Sequence, residues 1–364
     1  MAAHATDAGH MARAIELARR GLFTTDPNPR VGCVIADGER VIAEGWHEKA
    51  GLPHAEVMAL AAAGDAARGA TAYVTLEPCS HFGRTPPCAD ALVEAGIGRL
   101  VYAMKDPNPR VNGAGIARVA AAGIAVTGGV LEQESQELNP GFISRMTRGQ
   151  PWVTVKLAAS LDGGTALPGG ESHWITGEAA REDVQRLRAR SSAVMTGSGT
   201  VLADDPRLDV RLPGATRQPL RVVLDSKLRT PATARILVPP GQALVLCTDE
   251  DGERASALRA AGAEVVRLPS SGGSVDLAAA LALLADRQVN ELLVECGAGL
   301  AGAFFAAGLV DELRLYIAPM LLGRGARPLA DLAAPASMAE RLEFSIVERQ
   351  DVGKDLMLRL RPRR

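Results

Sequence analysis

The sequence predicts an α/β protein with two domains. Its 364 residues exceed the roughly 100–200 that one ordinary domain contains. Strand-like apolar runs alternate with helix-patterned segments along most of the chain, which is typical of layered α/β domains. Hydrophobic residues make up 47% of the chain and charged residues 23%, a mixture that excludes a mainly disordered protein.

The first half predicts an α/β layered domain, in which strands alternate with helices. Residues 10–21 have helical spacing and end at Gly21, a plausible residue to follow a helix. Asp37-Gly38 lies between two apolar runs and predicts a hairpin. The strands are expected at 31–36, 41–45, 72–76 and 99–104, further helices at 53–63 and 88–95, and a helix followed by a strand within 114–127.

A break in the pattern near residues 139–151 separates the two halves. We therefore expect domains at 1–147 and 148–364. In the second half, strands are predicted at 152–158, 193–197, 220–225, 243–247, 263–267 and 291–296. Two late strands, at 314–318 and 356–360, suggest an antiparallel hairpin that ends the sheet.

Charge and composition argue against several classes of protein. The formal charge is −2 and aromatic residues are 3% of the chain, so neither a basic field nor a base-stacking platform for nucleic acid is expected. Five scattered cysteines do not form a disulfide framework. The N-terminus lacks a signal-peptide pattern, and no apolar run approaches the ~18–20 residues of a membrane span. We expect a cytoplasmic protein with reduced thiols and no membrane partner.

The strongest chemical signal is a set of potential zinc ligands. His54-Ala55-Glu56 is followed by Pro78-Cys79 and then by Cys88. One imidazole and two thiolates would leave the fourth position of a tetrahedral zinc open for water, as in catalytic sites. Glu56 lies two residues after His54, so it can face that position without ligating the metal. The pattern is that of zinc nucleobase deaminases, in which the glutamate moves protons.

Two other interpretations of this set stay open at the level of sequence. The histidine and cysteines could be ordinary buried core residues. Alternatively, His47 or His81 could complete a closed, structural zinc site.

Two repeated or glycine-rich segments also invite a functional interpretation. Asp-Pro-Asn-Pro-Arg-Val occurs at 26–31 and again at 106–111. The prolines could simply shape two ordinary loops, or the two loops could present Asn and Asp to one pocket. Gly297, Gly299 and Gly302 spell G-x-G-x-x-G between a strand and a helix. That segment could cradle a phosphate or simply allow tight helix–strand packing.

Taken together, HAE, EPCSHFGRTPPCADAL, the paired DPNPRV loops and the second α/β domain resemble the bifunctional riboflavin-biosynthesis deaminase/reductase family. The resemblance covers essentially the whole chain, and the eight residues between Cys79 and Cys88 are specific within the deaminases. It implies a cytidine-deaminase-like three-layer domain followed by a dihydrofolate-reductase-like α/β domain. It also implies two cofactors, zinc and NADPH.

The resemblance further implies a set of binding residues. The deaminase pocket would use Asn28, His47, His81, Arg84, Asp106 and Asn108 for the substrate. Some relatives have Lys in place of Arg84. In the reductase, the substrate would contact Ser172, Arg188, Leu208, Arg211 and Glu295. The cofactor would contact Ala158, Trp174, Thr200, Asp204, Ser226, Gly297, Ala298, Gly299, Leu300, Ala301, Gly302 and Ala303.

The resulting prediction is a two-step enzyme acting on a small phosphoribosyl pyrimidine, and a homo-oligomer is expected. Deamination of a diaminohydroxypyrimidine, with Glu56 as proton shuttle, would precede NADPH-dependent reduction of its ribosyl group. No reductase side chain stands out as a proton donor. Rival hypotheses are a nucleic-acid-editing or free-nucleotide deaminase with an accessory nucleotide-binding domain, and a zinc-stabilised module fused to a nucleotide sensor.

Overall fold

A computed structural model of the protein describes residues 2–80, 86–109, 111–172, 174–250 and 252–363. The chain divides into two units, Met1–Gly149 and Gln150–Arg364. The predicted boundary near residue 147 falls within a helix of the first unit. Within the described part of the chain, no helix combines the length and the apolar character needed to cross a membrane.

The first unit is built on a five-stranded mixed sheet. Its elements are α1 (Ala2–Arg19), β1 (Gly32–Asp37), β2 (Arg40–Trp46), α2 (Ala55–Ala63), β3 (Thr71–Leu76), α3 (Cys88–Glu94), β4 (Arg99–Met104), α4 (Ala114–Ala121), β5 (Ala125–Gly128), α5 (Glu132–Leu138) and α6 (Pro140–Arg148). The strand order is β2-β1-β3-β4-β5, with β1 antiparallel to both neighbours and β3, β4 and β5 parallel. The predicted hairpin is confirmed: Asp37 pairs with Arg40, and Gly38 adopts φ 57° at the turn.

Helices cover both faces of this sheet, which gives three layers. Cys33 and Ile35 of β1 point into a core shared with α2 and α3, whereas Val34 and Ala36 point into a core shared with α1. This alternation is the period of two expected of a strand buried on both faces. The sheet therefore holds the first turns of α2 and α3 beside the end of β3.

The helices α5 and α6 were not predicted from the sequence. They are joined at Asn139, whose side chain accepts a hydrogen bond from the Arg30 backbone N–H (2.8 Å) and donates one to the Arg30 carbonyl (2.9 Å). Pro140 begins α6 and Gly149 follows it at φ 65°, both favourable positions for these residues. The pairing spans 109 residues of sequence, so a local pattern could not reveal it.

The second unit is built on a nine-stranded sheet. Its elements are β6 (Trp152–Ser160), α7 (Glu178–Arg190), β7 (Ala193–Gly197), α8 (Ser198–Asp204), β8 (Leu220–Leu224), β9 (Ala243–Cys247), α9 (Glu253–Ala260), β10 (Ala263–Arg267), β11 (Ser270–Ser271), β12 (Ser274–Val275), α10 (Leu277–Asp286), β13 (Glu291–Glu295), α11 (Ala298–Ala306), β14 (Glu312–Ala318), β15 (Phe344–Val352) and β16 (Asp355–Pro362). The order is β10-β9-β8-β7-β13-β6-β14-β16-β15. The seven strands from β10 to β14 in that order pair in parallel. Strand β16 pairs antiparallel with both of its neighbours, β14 and β15.

The end of this sheet corrects one detail of the sequence prediction. The late strands β14 and β16 pair antiparallel as expected, but they do not form a hairpin. The hairpin joins β16 to β15, with Val352 opposite Asp355 and Gly353 at φ 65°. β15 escaped prediction because, as an edge strand, it leaves most of its side chains exposed and lacks a buried apolar run.

A buried carboxylate ties α1 to the sheet of the first unit. Asp7 is 2% exposed. It accepts a hydrogen bond from the Tyr73 hydroxyl (2.9 Å) and a bidentate pair from the Arg99 guanidinium (2.9 and 2.8 Å). Arg99 also donates to the Thr127 hydroxyl (3.1 Å). One charge therefore connects the helix to β3, β4 and, through Arg99, β5.

Replacing Asp7 by Ala should destabilise the first unit by roughly 2–3 kcal/mol, because it removes charge-assisted hydrogen bonds and leaves Tyr73 without this acceptor. Urea unfolding measures the change, and hydrogen exchange in β3 and β4 locates it. Asp37→Ala is the control, since its pair with Arg40 is 3.9 Å long and exposed. Equal stability losses in the two variants would contradict a structural role for Asp7.

Candidate functional site

Three potential metal ligands converge in the first unit. The His54 Nδ1 atom lies 3.2 Å from Cys88 Sγ and 3.7 Å from Cys79 Sγ. All three ligand atoms lie within 4.8 Å of one another. Within the described residues, this is the one group of His, Cys, Asp and Glu side chains with metal-binding spacing. One imidazole nitrogen and two sulfur atoms are a donor set that suits zinc.

Local structure explains why these residues meet. His54 is the N-cap residue of α2, Cys79 follows the end of β3, and Cys88 begins α3 directly after Pro87. The Cys88 backbone N–H donates to Cys79 Sγ (3.3 Å). Unpaired N–H groups at a helix start favour a thiolate.

The pKa values of the two thiols shift in opposite directions. A hydrogen bond from the Cys88 thiol, together with contacts to His54, lowers the pKa of Cys79 to about 4. The same hydrogen bond and burial raise the pKa of Cys88. The bond to Cys79 also raises the pKa of His54. A divalent metal would displace the thiol proton, since thiolates are the ligating form.

Glu56 is buried beside the three potential ligands but is not one of them. It lies in the first turn of α2 and is 3% exposed. Burial raises the pKa of Glu56 to about 7. A carboxyl group with a pKa near the working pH can both accept and return a proton.

His47 lies next to the three ligands but is held by other partners. Its Nδ1 atom is 3.1 Å from the Pro53 carbonyl, and its Nε2 atom is 3.1 Å from the side-chain nitrogen of Asn28. Nδ1 is thus the donor and Nε2 the acceptor. Burial lowers the pKa of His47, which favours this neutral form. Both ring nitrogens are engaged, so this geometry does not support His47 as a fourth ligand that closes the site.

The two Asp-Pro-Asn-Pro-Arg-Val repeats are anchored in different ways. In the first, Arg30 is 6% exposed and its guanidinium donates to the Leu138 and Leu22 carbonyls (3.0 and 3.3 Å). In the second, the Asp106 carboxylate accepts the backbone N–H of Asn108 (2.8 Å). His81 and Arg84, the other predicted substrate contacts, lie outside the described residues.

Sequence reasoning missed Glu77, which is 2% exposed and directly precedes Pro78-Cys79. Its carboxylate accepts four backbone N–H groups, from Asp106, Gly113, Gly115 and Ile116. The available sequence signal was an acid directly after an apolar strand, where a buried carboxylate needs hydrogen-bond partners.

In the second unit, the glycine motif serves two purposes. Gly297 is the N-cap of α11, and a Cβ atom at Gly297 or Gly299 would meet nothing within 4 Å. A Cβ at Gly302 would lie 2.0 Å from the Asp331 carbonyl oxygen. The first two glycines therefore leave space for a ligand at the helix start, while the third permits close packing.

Glu295 lies in an ion pair at the carboxyl end of β13. The Arg188 guanidinium donates to both of its oxygens (2.6 and 2.9 Å), and both side chains are 12% exposed. Lys156 is the register neighbour of Glu295 on β6. Burial lowers the pKa of Lys156, although Glu295 opposes that shift. Sequence analysis did not identify Lys156 as a functional residue, because nothing local shows that its strand places it beside an acid.

Positive charge accumulates around this ion pair. Arg188 also donates to the Asp209 carbonyl (3.2 Å), and Asp209 accepts from Arg207 and Arg211 (2.8 and 2.5 Å). The group around this ion pair has four basic and two acidic side chains: Lys156, Arg188, Arg207 and Arg211, with Asp209 and Glu295. Its formal excess of two positive charges suits an anionic group such as a phosphate.

The remaining predicted contacts of the second unit are dispersed among loops and strand ends. Trp174 is 67% exposed and lies under the Arg181 guanidinium, 4.4 Å from its ring centre. Leu208 is buried in the core and has φ 52°, an uncommon conformation for leucine. The Ser226 hydroxyl accepts the Val275 N–H (2.9 Å). Ala158, Ser172 and Thr200 are half-buried, whereas Asp204 is exposed.

Comparison with protein families assigns the two halves separately. Residues 4–104 match the cytidine and deoxycytidylate deaminase zinc-binding region. Residues 151–358 match the RibD C-terminal domain.

Relatives match over nearly the whole chain. The chain is 49% identical to riboflavin biosynthesis protein RibD of Escherichia coli, covering 97% of this chain and 99% of the relative. The RibD of Haemophilus influenzae is 44% identical, with 98% coverage of both.

Solved structures agree with this assignment. The RibD structure of Acinetobacter baumannii superposes with a TM-score of 0.92 at 46% identity, covering 99% of this chain and 100% of that one. A diaminohydroxyphosphoribosylaminopyrimidine deaminase/5-amino-6-(5-phosphoribosylamino)uracil reductase of Thermotoga maritima superposes with a TM-score of 0.89 at 35% identity, with 99% coverage of both.

These matches confirm the predicted fold class, a cytidine-deaminase-type α/β domain followed by a reductase domain. They do not favour the rival hypothesis of a deaminase with a mere accessory domain, because the second half has its own enzymatic family. The chain belongs to the RibD family, and it is a bifunctional riboflavin-biosynthesis enzyme that joins a zinc-dependent deaminase to an NADPH-dependent reductase.

Proposed function

We propose that residues 1–147 hydrolytically deaminate a diaminohydroxy-phosphoribosylaminopyrimidine and that residues 148–364 reduce the ribosyl group of the product to ribityl. The Thermotoga relative carries both activities in its name. The observation that carries the proposal is the convergence of His54, Cys79 and Cys88 beside the buried carboxyl of Glu56.

The first site would hold zinc through His54, Cys79 and Cys88, since their nitrogen and two sulfur atoms match its preferred donors. When bound, zinc supplies Lewis acidity that makes water a better nucleophile near neutral pH. The lowered pKa of Cys79 favours the thiolate form, which is the form that ligates a metal.

Glu56 would carry the protons of the deamination. The attacking water gives a proton to its carboxylate as the new C–O bond forms at the amine-bearing ring carbon. The C–N bond then breaks, and the departing amine leaves as ammonia with the proton that Glu56 returns. A pKa raised to about 7 suits both halves of this transfer.

Removal of one ligand should test the metal site. Cys88→Ser is expected to reduce zinc content well below one per chain and to abolish ammonia release, because a hydroxyl is a poorer zinc ligand than a thiolate. Zinc analysis and an ammonia assay measure the effect. Cys247→Ser, which removes a buried thiol from the second unit, should leave both unchanged. Full zinc content and full deamination in Cys88→Ser would refute the ligand assignment.

Glu56→Gln should separate the two activities of the chain. The amide keeps the volume but cannot shuttle protons, so deamination should slow by ~10²–10⁴ while zinc stays bound. NADPH oxidation with the already deaminated pyrimidine should stay near normal, and oxidation with the diamino compound should be very slow. Loss of reduction on the deaminated pyrimidine would show that the two sites are coupled.

In the second unit, we propose that the cationic group around Asp209 binds the phosphate of the substrate. Arg211 is the most exposed of its guanidinium groups, with 57% of its side chain accessible, and is therefore open to a ligand. Lys156 and Glu295 lie at the buried end of this group, on neighbouring strands. NADPH supplies the hydride.

The cofactor would lie against the start of α11, where Gly297 and Gly299 leave open space. A Cβ atom at Gly299 would meet nothing within 4 Å beyond its own helix, so we expect the fold to tolerate Gly299→Val. We expect the dissociation constant of NADPH to rise at least tenfold while ammonia release persists.

Fluorescence titration with NADPH measures this effect. Ala306→Val, at the exposed end of the same helix, is the matched control and should bind NADPH normally. Wild-type NADPH affinity in folded Gly299→Val would assign all three glycines of the motif to packing.

The expected homo-oligomer and cytoplasmic location stay predictions. Light scattering of the purified chain would test the first, and cell fractionation the second.

A further inference from the structure

The Glu77 carboxylate connects two loops that lie far apart in sequence. Its backbone N–H donates to the Met104 carbonyl (3.0 Å), which extends the pairing of β3 and β4 by one residue. Its side chain then accepts N–H groups from both ends of the loop that joins β4 to α4. Two bonds reach Oε2, from Asp106 (3.2 Å) and Gly113 (3.0 Å). Two reach Oε1, from Gly115 (3.0 Å) and Ile116 (3.4 Å).

Three of these donors belong to the beginning of α4. Gly113 is its N-cap, and Gly115 and Ile116 lie in its first turn, where N–H groups have no partner within the helix. The carboxylate therefore provides acceptors for three N–H groups of the helix start, of which that of Gly115 is buried and the other two are half-buried. An anion at a helix start is also stabilised by the helix dipole.

The same turn of α4 packs directly on the chain that leads to Cys79. A Cβ atom at Gly115 would lie 1.8 Å from the Pro78 carbonyl oxygen, so no side chain fits there. Pro78 is the residue between Glu77 and Cys79. The loop that carries the proposed ligand and the start of α4 are thus in van der Waals contact.

The fourth donor extends the connection toward the proposed substrate residues. Glu77 accepts the N–H of Asp106, and the Asp106 side chain accepts the N–H of Asn108 (2.8 Å). The Asn108 carbonyl accepts the N–H groups of Val111 (2.9 Å) and Asn112 (3.1 Å), which closes the loop back toward α4. These hydrogen bonds connect the described part of the loop, through the Glu77 carboxylate, to the residue two positions before Cys79.

We propose that Glu77 is a positioning residue of the deaminase: it fixes the second Asp-Pro-Asn-Pro loop relative to the ligand loop at Cys79. It is buried and contacts backbone groups, so it acts through Asp106 and Asn108 rather than on the substrate itself. The inference rests on the proposed function, because it takes those residues as substrate contacts.

The test is Glu77→Gln. The amide keeps the length and volume of the side chain but retains one acceptor oxygen, so two of the four hydrogen bonds are lost and an N–H group faces N–H donors. We expect kcat/KM for ammonia release, expressed per bound zinc, to fall by ~10²-fold, the effect of a misplacement of about 1 Å. KM should rise along with the fall in kcat, since the binding loop itself is released.

Three further measurements separate positioning from folding. Zinc content should stay at one per chain. Reduction of the already deaminated pyrimidine by the same molecules should be unchanged, which provides an internal control. Glu132→Gln, an acid-to-amide change at the exposed start of α5, should leave kcat and KM at the wild-type values.

Glu77→Asp is the second variant, because it keeps both acceptor oxygens but shortens the reach by one methylene. We expect it to retain zinc and to impair ammonia release less than Glu77→Gln, since it can still bond part of the donor set. Wild-type kcat/KM per zinc in Glu77→Gln would overturn the proposal. Loss of zinc in both variants would also overturn it, by assigning Glu77 to the folding of the ligand loop. Absence of ammonia release from the wild-type chain would instead refute the proposed function.

Discussion

The structure depends on carboxylates that lose their contact with water when the chain folds. Hydrogen-bond donors of the protein must then replace that water. Asp7, Glu77 and Glu295 are each largely buried, and each accepts two or more hydrogen bonds from donors distant in sequence. An isolated carboxylate in such surroundings would cost several kcal/mol, so the fold forms only when the donors arrive together. This requirement joins α1 to its sheet, α4 to the ligand loop, and α7 to β13.

The same constraint explains how one hexapeptide serves two positions. At residues 26–31 the loop is held by its own Arg30, whose guanidinium and backbone bond to the segment around Asn139. At residues 106–111 the loop is held from outside, by the Glu77 carboxylate. The repeated hexapeptide therefore specifies a stiff, proline-rich backbone, and the neighbouring elements decide how that backbone is anchored.

Desolvation also shapes the chemistry of the first site. Burial raises the pKa of Glu56, whereas hydrogen bonds lower that of Cys79, although the two groups lie in the same small region. Hydrogen-bond donors stabilise the thiolate of Cys79, whereas at Glu56 the loss of solvent outweighs its hydrogen bonds and favours the protonated carboxyl group. The arrangement provides a metal-binding anion and a proton carrier side by side.

The sequence by itself determined the alternation of strands and helices and the Asp37-Gly38 hairpin, because these depend on local spacing. It also singled out His54, Cys79 and Cys88 as candidate zinc ligands, and the structure brings the three together. Tertiary structure alone decided that His47 bonds Asn28 and Pro53, and that Glu77 binds the start of α4. It also decided that Gly302 differs in role from Gly299, and that Lys156 lies beside Glu295. Except for the bond between His47 and Pro53, which spans six residues, each of these facts concerns a donor, acceptor or strand that is distant in sequence. Local periodicity carries no record of such pairings, since they arise only when the sheets form and their charges must find partners.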